Sequence, residues 1–239
     1  MKISNCLKIT ILVFLSFCSS TAIAQSQQRG ETLEEIEDLR GRLKKLEETF
    51  LSPSAQDHAA LAELLRQPST GLIRLLPREE FDGKNRLTIR GGGAYYSFTR
   101  LTHEYGYGSD IELQGDNLSV GFAGADYGMM ANISPASLEE LSLDDPRVRF
   151  LAGHQPPTDE PGARAEQRRF GEGVSEDDVV YRRRVPVKKG STYLLRSINY
   201  GNSDVLVGLH VLRRDVDGSV IIAWKMLKKY SVPQLQRAE

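Results

Sequence analysis

Residues 204–227 read DVLVGLHVLRRDVDGSVIIAWKML. Two apolar runs flank Asp217 and Gly218, a pair suited to a two-residue type I′ turn between antiparallel strands. With that turn Val216 faces Ser219, Val211 meets Trp224 and Leu209 meets Met226. Side chains alternate across a strand, so one face collects Val205, Val207, Leu209, Val211, Val220, Ile222, Trp224 and Met226. Every member is apolar, and a slip of one residue would send them all to the other side. His210 falls on the opposite face, across from Lys225. The two-residue period makes the end of the chain a sheet.

Upstream the same period recurs. Residues 71–77, GLIRLLP, form a short apolar run, and strand candidates follow at 86–98, 110–114, 118–122 and 127–133, then at 179–187 and 191–200. Turn residues separate them at short intervals, the habit of an antiparallel sandwich or barrel. At residues 91–93 three glycines interrupt the apolar parity of their strand; a β-bulge there would restore it. Residues 152–178 are polar and rich in Pro and Gly, and are predicted to be a long surface loop with about one helical turn. The expected fold is mostly β: residues 70–239 form an antiparallel β-sandwich or barrel-like domain, preceded by an N-terminal helical pair at 25–69.

The first 24 residues, MKISNCLKITILVFLSFCSSTAIA, have a basic start, an apolar run and an A-x-A end. That is the layout of a secretory signal peptide. The apolar run is shorter than the ~20 residues of a spanning helix, and no later segment is apolar enough to span a bilayer. The chain is therefore expected to be exported, periplasmic or secreted, with no integral membrane segment after cleavage. Cys6 and Cys18, the only cysteines, lie in this leader, so the exported chain would be disulfide-free and held by its core alone.

After a polar tether at 25–30, residues 31–51 read ETLEEIEDLRGRLKKLEETFL. Ile36, Leu39, Leu43, Leu46 and Phe50 fall on one helical stripe. The stripe covers barely two heptads, so packing on its own domain is the first reading and a homo-oligomer the second. A second helix begins at Ser52-Pro53, or at Ser54 with Asp57 three places on, and ends at Pro68. Its inward residues are Leu61, Leu64 and Leu65.

Composition and motifs exclude several functions. The chain has 31 basic and 32 acidic side chains, without the basic excess of nucleic-acid binders. In Arg182-Arg183-Arg184, alternation sends the middle arginine to the opposite face. Gly91, Gly92 and Gly93 are followed by Ala-Tyr-Tyr, with no lysine to hold a phosphate. His103-Glu104 lacks the second histidine of HExxH, because Tyr107 stands in its place. Asp215 to Ser219 lacks the glycine and glutamate spacing of a calcium loop. No cofactor and no metal are expected.

The catalytic candidates are Glu104, Asp110 and His103, since a hydrolase would need paired carboxylates across a cleft. None has the spacing that chemistry imposes. Arg196 and Asp204 are candidates for a buried ion pair, whereas His103 and His154 sit among polar residues and read as surface groups. The binding candidates are Tyr95, Tyr96, Tyr105 and Tyr107. Flat rings with hydroxyl tips suit a glycan or peptide ligand. The functional expectation is thus an exported, non-catalytic β-sandwich module that binds a carbohydrate or peptide-like ligand or serves the cell envelope structurally. A carboxylate-based hydrolase and an assembly protein that oligomerises through its N-terminal helix are the alternatives.

Overall fold

The computed structural model describes residues 4–106 and 108–236, with side chains from residue 27 onward. The chain divides into two compact units, Met1–Phe50 and Leu51–Glu239. The described residues of the first form one helix, α1 (Ser4–Leu51), whose last residue belongs to the second. It runs through the stretch read as a polar tether. Leu33, Ile36, Leu39, Leu43, Leu46 and Phe50 are exposed along it. Among the described residues no helix is long and apolar enough to cross a membrane.

The second unit opens with α2 (Ala55–Ala60) and α3 (Ala62–Leu65). Ser54 caps α2: its Oγ accepts from Asp57 N at 3.2 Å, while Asp57 Oδ2 accepts from Ser54 N at 2.9 Å. This reciprocal box satisfies two otherwise unpaired N–H groups. Arg213 also bonds the Asp57 carboxylate and, with Ser54, holds its pKa down at about 2.

The remaining elements in chain order are β1 (Thr70–Leu75), α4 (Arg78–Phe81), β2 (Tyr95–Tyr96), β3 (Ile111–Gln114), β4 (Asn117–Ser119) and β5 (Tyr127–Asn132). Then come α5 (Pro146–Gly153), α6 (Glu160–Glu172), β6 (Val174–Glu176), β7 (Val179–Tyr181), β8 (Arg184–Pro186), β9 (Thr192–Asn199), β10 (Ser203–Arg214) and β11 (Val220–Lys229). A five-stranded sheet runs β1-β11-β10-β9-β5 and a four-stranded sheet runs β2-β3-β4-β8, antiparallel throughout. They do not close into a barrel. Their facing sides bury one core, in which Ile111, Leu113, Leu118 and Val185 meet Leu195, Val207, Ile222 and Trp224. The back of the larger sheet is also covered: Leu194, Ile198, Leu206 and Ala223 pack with Leu64, Leu151, Ala163 and Phe170 of the helices. Burial on both sides explains why all eight residues of β9 are buried.

The apolar face of the C-terminal hairpin is the one expected; the pairing is shifted by two residues. Leu209 lies opposite Trp224, Val207 opposite Met226 and His210 opposite Ala223. Two features change the count. A bulge interrupts β10 between Val211 and Arg213, and Asp217 Oδ1 accepts from Ser219 N at 3.0 Å, closing a wider loop. Such an aspartate bond competes with the two-residue turn. A shift of two keeps parity, so each side chain stays on its face. His210 lies away from the core, bonded to Thr192 Oγ1 at 2.9 Å.

Two further expectations fail. No strand spans 86–98; within it Tyr95–Tyr96 pairs with β3 and Ser97 makes a single bridge to Thr102, while residues 87–93 bend and turn. Nor is 152–178 a long loop, since α6 occupies thirteen residues of it. Asp159 caps α6 by accepting from Gly162 N at 2.8 Å. Pro161 falls in the first turn, where a missing N–H costs nothing. Ala163 and Phe170 are buried, seven residues apart on one face. The polar surface of α6 hid this narrow apolar stripe.

Candidate functional site

The register of the smaller sheet aligns four residues across its strands. Tyr95 pairs with Glu112, Glu112 with Ser119, and Ser119 with Arg184. Their neighbours Tyr96, Ile111, Leu113, Leu118 and Val185 face the core, so alternation puts this row on the outer side. Yet Tyr95, Glu112 and Ser119 are only 4–5% exposed. Tyr105, Phe122, Arg78 and Arg183 rise around the row and turn it into the floor of a cleft of about 330 Å³. That is the lower end of the range for small-molecule sites.

The glycines at 91–93 position the rings. Gly91 has φ +84°, and a Cβ there would lie 2.6 Å from Tyr95 Cδ2 and 2.7 Å from Tyr105 Cβ. Gly92 has φ +59°, and a Cβ there would lie 2.3 Å from the backbone N of Asp82. Only glycine combines this left-handed backbone with such close approach. The turn then carries Tyr95 onto the sheet, while Tyr105 N bonds Arg90 O at 2.8 Å. The two rings lie 4.4 Å apart, with Phe122 edge-on to Tyr95 at 5.3 Å.

Glu112 Oε1 accepts from Arg78 Nη1 at 3.0 Å and from the Tyr95 hydroxyl at 2.9 Å. Burial and the neighbouring carboxylate push the Tyr95 phenol well above its ordinary pKa. Arg183 is held by main chain, through Nε to Val120 O at 3.0 Å and Nη2 to Gly121 O at 2.5 Å. Arg184 reaches the Gln114 side-chain carbonyl. Ser119 Oγ has no hydrogen-bond partner, the one such buried side-chain atom among the described residues. An unmade bond at a buried polar atom costs more than a formed one contributes, and this hydroxyl is the unspent hydrogen-bonding group at the site.

A larger hollow of about 580 Å³ includes Asn132, Pro135, Arg147, Lys188 and Tyr193. Two of its polar side chains are already used. Tyr193 OH donates to Pro186 O at 2.8 Å and accepts from Lys188 N at 2.9 Å, and Arg147 pairs with Asp145 at 2.6 Å. We therefore take the smaller cleft as the site.

Of the tyrosines singled out in the sequence, Tyr95 and Tyr105 line this cleft. Tyr96 points the other way, into the core beside Phe98 and His103, and Tyr107 lies outside the described residues. The catalytic candidates do not converge. Asp110 is 0% exposed, accepting from Phe98 N at 2.8 Å and Asn199 Nδ2 at 2.9 Å; burial pushes its pKa up to about 6 against these bonds. Glu104 is exposed, with Arg90 N at 3.4 Å. His103 is no surface group: Nε2 donates to Arg74 O at 2.9 Å, and burial pulls its pKa down to about 4. His154 is likewise enclosed, bonded to the Tyr127 hydroxyl at 2.7 Å. Among the described residues no three His, Cys, Asp or Glu side chains could hold a metal ion.

Sequence reasoning passed over Arg78, Glu112, Gln114, Ser119 and Phe122, and it sent Arg183 and Arg184 to opposite faces, whereas both line the cleft because β8 begins only at Arg184. One signal was present. Glu112 sits between Ile111 and Leu113, and Ser119 between Leu118 and Val120. A polar residue flanked by core residues on a strand points off the far face.

The fold and the cleft define a β-sandwich with a polar, ring-walled site on the outside of its smaller sheet. No protein-family model, curated protein or solved structure matches this chain.

Proposed function

We propose that this chain is an exported, non-catalytic module that binds a carbohydrate in the cleft over Tyr95, Glu112, Ser119 and Arg184. The carrying observation is that row, roofed by Tyr105 and Phe122 and holding an unpartnered buried hydroxyl. Sugar rings present apolar faces to aromatic rings, and their hydroxyls both donate and accept. Tyr105 and Phe122 supply the first kind of contact, and Glu112, Ser119 and the arginines supply acceptors and donors. A peptide added as a strand would use main-chain groups at a sheet edge, whereas this row lies on a sheet face. Hydrolysis of a glycosidic bond needs two carboxylates, and the cleft has one, Glu112. The leader-like first 24 residues support export.

The test is a glycan array probed with the chain and with Tyr105→Ala. Tyr105 is half-buried at the rim, so the variant is expected to keep its circular dichroism and thermal midpoint. It is expected to lose about tenfold or more of the array signal, since stacking of this kind is worth on the order of 1–3 kcal/mol. An array signal that Tyr105→Ala leaves unchanged would remove the cleft from the reading.

A further inference from the structure

We infer that the saccharide recognised in this cleft carries a carboxylate; this rests on the carbohydrate reading above and names its class. Three guanidiniums line the cleft, from Arg78, Arg183 and Arg184, against one carboxylate, from Glu112. Glu112 is already neutralised by Arg78 at 3.0 Å, with the Tyr95 hydroxyl on the same oxygen. The charge left over belongs to Arg183 and Arg184.

Neither of these meets a carboxylate among the described residues. Arg183 is anchored through Nε and Nη2 to the carbonyls of Val120 and Gly121. Arg184 bonds the neutral amide of Gln114. Both are oriented by neutral acceptors that leave their charge in place, and each guanidinium keeps N–H groups beyond those bonds. Arg183, half-buried and held in this way, is preorganised for a planar anion, which it can grip with two parallel bonds, and the exposed Arg184 adds its charge beside it.

The buried hydroxyl is the independent observation. Ser119 lines the same cleft, is 5% exposed, and its buried Oγ lacks a partner. It stands opposite Arg184 in the register. A hydroxyl beside two unneutralised guanidiniums completes a set of donors around one acceptor group. Glu112, two strands from Arg184 in the row, is left to accept from a sugar hydroxyl. The aromatic walls then hold the ring that carries the acid.

The experiment compares digalacturonate with its uncharged dimethyl ester by isothermal titration at low salt, on the intact chain. Digalacturonate is expected to bind about tenfold more tightly than the ester, as hydrogen bonds to a charged group exceed those to a neutral one by this order. Added salt is expected to narrow that gap. In Arg183→Gln the gap is expected to close, with affinity for the acid falling more than affinity for the ester. Because Arg183 also ties down Val120 and Gly121, the exposed Arg184→Gln serves as a second variant and is expected to narrow the gap without changing the thermal midpoint. Equal binding of acid and ester would overturn the inference and leave the carbohydrate reading intact. Absence of binding by both would overturn the two together.

Discussion

Replacing Asp204 by alanine is expected to lower the unfolding free energy by about 3–5 kcal/mol, the range for removing one partner of a buried ion pair. Arg196 and Asp204 are 1% and 2% exposed. They meet through two parallel bonds, Nε to Oδ1 at 3.0 Å and Nη2 to Oδ2 at 2.9 Å. Arg196 Nη1 donates to Leu151 O at 2.5 Å and His154 O at 2.7 Å, and the Tyr230 ring covers the guanidinium at 3.8 Å. The pair thus ties β9 and β10 to the end of α5. Alanine would leave a positive charge enclosed with two bonds unmade. Urea unfolding followed by fluorescence of Trp224, the only tryptophan, measures the loss. The double variant Arg196→Met with Asp204→Leu is expected to be closer to the native chain than Asp204→Ala, because it removes both charges. A loss below about 1 kcal/mol for Asp204→Ala would mean that water reaches the guanidinium and that the pair behaves as a surface one.

Trp224→Ala is expected to cost a similar amount, about 3–5 kcal/mol, as large aromatic deletions from a core do. The ring is 5% exposed and lies 5.4 Å from that of Phe98, across the sandwich. Gly71, paired with it in β1, supplies the space. A Cβ there would lie 2.8 Å from the indole. Tryptophan, on β11, therefore packs between Gly71 of the end strand β1 and Phe98 just beyond β2, and its loss opens a cavity in the core. Thermal unfolding followed by circular dichroism gives the shift. A midpoint within about 2 °C of the native chain would show that the indole does not bridge the sheets.

The parts of the fold legible in the sequence are those where one physical signal acts alone. The face of the C-terminal hairpin follows from alternation, which survives a shift of two residues. The register does not, because it depends on a bulge near Leu212 and on the Asp217 bond, neither of which has a period. The start of α2 was legible in Ser54 and Asp57, since a capping box is a local bond. α6 was not. Glu160, Arg164, Glu166 and Arg169 dominate its composition, and only Ala163 and Phe170 reveal a buried side. The turn at 87–93 escaped because Leu87 and Ile89 alternate as strand residues do. Both pack instead against a small cluster of Leu51, Leu76 and Phe81.

The site was half legible. Tyr95 and Tyr105 stand out as rings beside glycines. Parity also separates Tyr95 from Tyr96 once β2 is known. The polar members come from strands or turns spread from Arg78 to Arg184, and register alone brings them together. Glu112 is adjacent to Ser119 because β3 and β4 form a hairpin around Gln114 and Asn117. Arg184 joins through a strand more than sixty residues on. Such a row has no local spacing by which a motif could be recognised.

The claim on which the functional account rests is that ligand enters the cleft over this row. Amide chemical-shift mapping during titration of isotopically labelled protein with digalacturonate tests it most directly. The account predicts shifts concentrated at Tyr95, Glu112, Ser119, Val120, Gly121 and Arg184, on the outside of the smaller sheet. Shifts gathered instead around Asn132, Arg147 and Lys188, or none at all, would contradict it.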